Sequence, residues 1–107
     1  LNESMNNLNL AYATIGEEGK VTVWSGNSLQ NVNFHGTKFL GTVFMRKCIC
    51  KGANFTETFM PNLEYQYTDF RGAKFCSAVI RIGSREGLGA KFDKSLWDNL
   101  TKGWIFE

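Results

Sequence analysis

The stretch NVNFHGTKFLGTVF, Asn31 to Phe44, places a phenylalanine at every fifth residue, Phe34, Phe39 and Phe44, with small or polar residues between. Five matches neither the helical period of about 3.6 nor the strand period of 2. A backbone that uses this spacing must change direction once per five residues.

Working outward from that stretch, Leu29, Phe34, Phe39 and Phe44 share one register, and after one extra residue it continues as Cys50, Phe55, Met60, Tyr65, Phe70, Phe75 and Ile80. Every position is apolar or aromatic. At 43% hydrophobic residues overall, chance would produce such a run about once in ten thousand, or about once in a few hundred when phase and insertion are free. Two residues before each centre stands a mostly small side chain (Val32, Thr37, Thr42, Cys48, Ala53, Thr58, Leu63, Thr68, Ala73, Ala78), and two after it a set rich in turn formers that includes Gly36, Gly41, Arg46, Gly52, Asn62 and Gly72.

A short extended piece turns residues two apart to the same side, and a corner after each five turns the chain before the next piece. Four pieces make a square coil of about 20 residues, and coils stack at about 4.8 Å with the large side chains filling the axis. This predicts three ladders: Phe34 with Phe55 and Phe75, Phe39 with Met60 and Ile80, and Phe44 with Tyr65.

The segments GANFTE (Gly52–Glu57) and RGAKFCS (Arg71–Ser77) resemble the pentapeptide-repeat family, whose motif is a small residue, Asp or Asn, then Leu or Phe, then two variable positions. The resemblance implies a mainly β fold, a right-handed quadrilateral β-helix, over residues 29–82. The family also occurs in secreted bacterial effectors, where a β-helix segment precedes another domain.

In MRKCICKG, strict spacing would turn Lys47 inward at a cost of several kcal/mol for an unpaired charge. Treating Lys47 as the extra residue, a corner bulge, makes Cys50 central and Cys48 its small partner. Residues 1–28 read as an N-terminal cap, a β-hairpin about the Gly16–Gly19 turn. Residues 83–107 read as a loop, returning through Ala90 and Phe92, and a short capping α-helix with Leu96, Trp97, Leu100 and Trp104 at helical spacing, Asp93 as N-cap and Gly103 as stop. The 107 residues make one domain. No initiator Met or signal peptide opens the chain, so an excised domain of a larger bacterial protein is expected. Its expected location is the bacterial cytoplasm, or the host cytosol for a secreted effector.

Several chemistries can be weighed. Cys48, Cys50, Cys76 and His35 could make a zinc site or a thiol enzyme. Against both, the register buries Cys48 and Cys50 and turns Cys76 and His35 to solvent. No metal, cofactor or catalytic residue is therefore assigned. The loop Gly83–Gly89 lacks the Gly-Lys-Ser/Thr ending of a phosphate-binding loop. No apolar run approaches the roughly 18 residues of a membrane span. Residues 29–82 carry seven basic and three acidic side chains, a balance of +4. That sign opposes the mimicry of duplex DNA by which some pentapeptide-repeat proteins protect topoisomerases, and the scattered basic residues do not point to nucleic acid.

The outward positions beside the centres should be polar, and most are. The pieces centred on Phe39, Met60 and Ile80 depart from this by displaying Leu40, Phe59, Pro61 and Val79, with Arg81 at the rim. A flat apolar patch on a polar prism marks a contact surface. The expected function is a non-enzymatic protein-interaction domain; a second copy of the chain and the chain's own C-terminal segment are the other candidate occupants of that face.

Overall fold

Each corner is closed locally before any coil meets another. The amide of the small residue donates to the carbonyl of the centre three residues earlier, as in Thr37 to Phe34 (3.0 Å), Ala53 to Cys50 (3.1 Å), Thr58 to Phe55 (3.1 Å) and Ala73 to Phe70 (3.0 Å). The residue two past the centre has positive φ: Gly36, Gly52 and Gly72, but also Asn31, Lys47, Glu57, Tyr67 and Ser77. A turn with positive φ only at its third residue is a type II turn, which explains the turn-former column. Asn9, Asn33, Asn54 and Asp69, just before their centres, accept an amide proton two residues on, at 3.0–3.1 Å, which fixes the entry to the same corner.

The computed structural model describes residues 4–82, 90–91 and 104–106. It is a parallel β-solenoid of about three turns. Strands β1 (Thr14–Val23), β2 (Lys38–Phe44), β3 (Phe59–Glu64), β4 (Val79–Ile82) and β5 (Trp104–Phe106) form one sheet in sequence order, every neighbouring pair parallel. Two further columns of single bridges run up the other walls: Ser4, Ser28, Ile49, Asp69 and Lys91, and Asn9, Asn33, Asn54 and Lys74. Each coil therefore has four sides.

Two of the three ladders fill the axis as the five-residue register predicts. Phe34 and Phe55 stack at 4.9 Å and 12°, and Phe55 and Phe75 at 5.0 Å and 4°. Those separations equal the distance between coils, so one ring rests on the next. Phe39, Met60 and Ile80 are buried beside them. The buried threonines continue the stack with hydrogen bonds: the Thr37 hydroxyl donates to the Leu10 carbonyl (2.7 Å), that of Thr58 to Phe34 (2.6 Å) and that of Thr68 to Met45.

Three expectations are corrected. The extra residue is not Lys47. In the pairing of β2 with β3, Lys38 faces Phe59 and Thr42 faces Asn62, so β2 gains its residue between them. Met45 and Val43 then point inward in place of Phe44 and Thr42, and Met45 rather than Phe44 joins the third ladder below Tyr65. Phe44 faces outward under the Arg46 guanidinium, 4.9 Å from its ring centre, while Lys47 takes the positive-φ corner foreseen for Arg46.

The second correction concerns the N-terminal hairpin. Thr14–Gly16 pairs with Lys38–Leu40 and Val21–Val23 with Thr42–Phe44, both parallel, so the two segments run in the same direction along β2. Residues 4–24 are a coil in their own right, with Met5, Leu10, Ile15 and Trp24 partly buried against the core. The solenoid therefore starts upstream of residue 29.

The third concerns the C-terminal segment. Trp104, assigned to the capping helix, lies in β5 opposite Ile80. The rest of that helix and Phe92 fall outside the described residues, among which no helix occurs. Ala90 does return to the core, and Lys91 pairs with Asp69.

Candidate functional site

The sheet's outer surface carries the apolar residues singled out from the sequence. Period-2 alternation turns Phe39, Met60 and Ile80 into the axis, so their neighbours must point out. Lys38, Phe59 and Val79 are register partners in one column, with Phe59 40% and Val79 42% exposed. Leu40 and Pro61 are half-buried on the same wall, and Arg81 is exposed in β4 opposite Ile105.

Leu40, Phe59 and Pro61 line one open groove of about 470 Å³, whose lining also includes Glu18, Gly19, Lys38, Thr42 and Asn62. Val79 extends the apolar surface up the stack from Phe59; it does not line the groove. Between paired positions the strand β1 carries four residues, Glu17–Lys20, where β2 has Gly41 alone: Gly16 faces Leu40 and Val21 faces Thr42. Glu17–Lys20 therefore bulges out over Gly41. Gly41 has φ +76, and a β-carbon there would collide with the carbonyl oxygens of Glu17 and Lys20. Glycine is what lets the insertion sit directly on the wall. Glu18 and Lys38, the groove's charged members, were not singled out from the sequence. The spacing of Gly16 and Gly19 could have revealed the insertion had Met5, Leu10 and Ile15 been phased at five with Trp24.

The cysteines and the histidine do not converge. Burial pushes the Cys50 thiol far above its ordinary value and also raises that of Cys48, whose Sγ donates to the Trp24 carbonyl at 2.9 Å. Both remain protonated at neutral pH, the unreactive form of a thiol. His35 does have a carboxylate beside it, Glu57 at 3.2 Å, supplied by the next coil, and the Tyr12 ring lies 5.4 Å away. Among the described residues no group of three or more His, Cys, Asp or Glu is placed to hold a metal ion. Among them, too, no helix is long and apolar enough to cross a membrane.

Basic residues on the other walls lean on local partners. Arg71 forks onto Asp69 through Nε (2.9 Å) and Nη2 (2.7 Å), with Lys51 at 4.0 Å, and Arg46 reaches Glu64 at 3.8 Å. The Arg71 hydrogen bonds hold the Asp69 carboxyl below its ordinary value.

Five-residue pieces, four to a coil, with type II corners and an aromatic axis are now all in view. The fold is a pentapeptide-repeat β-solenoid. No family model matches the chain, and no curated protein does. Among solved structures, the chain is similar to the crystal structure of a pentapeptide repeat protein, Rfr23, from the cyanobacterium Cyanothece 51142. The identity is 13% and the TM-score 0.34, over 97% of this chain and 60% of that one. The chain thus spans less than two thirds of that protein's length.

Proposed function

We propose that the protein is a protein-interaction domain whose contact surface is the outer wall of β2, β3 and β4, formed by Leu40, Phe59, Pro61 and Val79 with Arg81 at its rim. The observation that carries this reading is the Phe59–Val79 column. It exposes two large apolar side chains in direct register, although the same strands bury Met60 and Ile80 completely. The core needs only the inward set, and an adjacent outward apolar pair is the signature of a surface that meets another protein.

The test is a photo-crosslinking residue at position 79, with a control at Lys74 on a different wall. The position-79 probe should give discrete protein adducts that vanish when Phe59→Asp is added, and the Lys74 probe should not. An adduct with a second copy would identify self-association as the use of the face. Equal labelling from both positions, or adducts only to residues 83–103 of the same chain, would overturn the reading. Phe59→Asp with Val79→Asp should unfold within about 0.5 kcal/mol of the parent, since neither side chain supports the axis.

A further inference from the structure

The lining of the groove beside this wall includes two charges of opposite sign, and they name a kind of occupant. The inserted residues Glu17–Lys20 are all exposed, and of their charges only Glu18 lines the groove. Lys38 lines the same groove and stands in register with Phe59. Neither Glu18 nor Lys38 makes an ion pair with another of the described residues. Leu40, Phe59 and Pro61 give the same groove an apolar floor.

Resting on the contact surface proposed above, we infer that this groove is a socket for an extended segment of a protein partner, one that inserts a large apolar side chain flanked by a basic residue on one side and an acidic residue on the other. Glu18 receives the base and Lys38 the acid, so the groove fixes the direction in which the segment lies as well as its anchor. The volume, about 470 Å³, exceeds what one side chain needs and accommodates its neighbours. The insertion is what makes this possible: Gly16, at φ +89, and Gly41 let its base lie flush on the wall, while nothing lies within 4 Å of a β-carbon built on Gly19 at its tip. A β1 without residues 17–20 would leave the groove without Glu18, its one acidic lining residue. Opposed rim charges contribute mainly orientation and partner choice, and the apolar floor contributes affinity.

The experiment is selection of a displayed random decapeptide library on the immobilised full chain, followed by titration of the enriched synthetic peptides. The expected consensus is a large apolar residue with opposite charges on its two flanks. Exchanging the groove charges, Glu18→Lys with Lys38→Glu, should invert the preferred flanks and weaken the parental peptides about ten-fold. Glu18→Ala, a milder change in an exposed loop, should abolish the preference for a base while keeping the apolar anchor. A consensus without flanking charge, flanks unmoved by the exchange, or no enrichment overturns the inference. Enrichment that Phe59→Asp removes but the charge exchange does not affect overturns the socket and spares the contact wall. Peptides indifferent to Phe59→Asp overturn both.

Discussion

Two halves of the same coil are built to different standards. The walls carrying the bridges of Asn33, Asn54 and Lys74, and of Ser28, Ile49 and Asp69, keep strict five-residue spacing, turn at tight corners and bury nothing outward. The walls formed by β1 to β4 run as longer strands, and every described pairing there carries a register shift except that of β4 with β5. On the wall of Asn33, Asn54 and Lys74, regularity follows from the aromatic ladder of Phe34, Phe55 and Phe75, in which each ring seats on the ring one coil below. Where the inward residues are aliphatic, Phe39 giving way to Met60 and Ile80, an added residue can be absorbed by a bend in the strand. The tolerant half is also the half that carries the apolar wall and the inserted loop.

The sharpest way to break this contrast is at the ladder. Phe55→Ala removes a ring stacked on both sides and should destabilise the protein by about 3–5 kcal/mol, measured by urea unfolding. Met60→Ala in the tolerant half should cost less, about 2–4 kcal/mol, and a larger loss than for Phe55 would reverse the comparison.

Next in size is Gly41→Ala, which combines positive φ with the collision against Glu17 and Lys20 and should cost about 1–3 kcal/mol. Deleting residues 17–20 should return the steric part of that loss. A cost unchanged by the deletion would mean that backbone strain alone requires the glycine.

Thr58→Val removes one of two donors to the Phe34 carbonyl, which keeps the Thr37 amide, and should cost about 1 kcal/mol in the same assay. The smallest effect belongs to the bridged walls. The native carboxyl of Asp69 titrates below its unfolded value, so its stabilisation is complete above about pH 4 and is lost as pH falls through the depressed native value. Asp69→Asn should flatten acid-induced loss of stability between pH 4 and 2 by under about 1 kcal/mol. An unchanged acid limb would show that the Arg71 fork contributes orientation only.

Much of the coil was legible because period and chemistry agree. Phe34, Phe55 and Phe75 announce themselves by type and by spacing, and the apolar exceptions Leu40, Phe59, Pro61 and Val79 stand out against a polar column. Phe44 and Met45 were a different problem. Both are apolar and adjacent, so no hydropathy argument decides which one enters the axis. The first coil was missed for a related reason: Met5, Leu10 and Ile15 keep the spacing of five, but residues 17–20 delay Trp24 and conceal the fourth side. Glu18 and Lys38 lie 20 positions apart in sequence, and only the stacking of one coil on the next brings them to the same groove.

The amino-acid sequence by itself determined the repeat length, the identity of the axial side chains and the wall on which apolar residues face outward, because these depend on local alternation and on the type of each residue. The tertiary structure alone decided which of two neighbouring apolar residues turns in and what stands over the outer wall. A slip of one residue reverses every side chain of a strand, and the hydrogen bonds that forbid the slip come from the coils above and below, about 20 residues away along the chain.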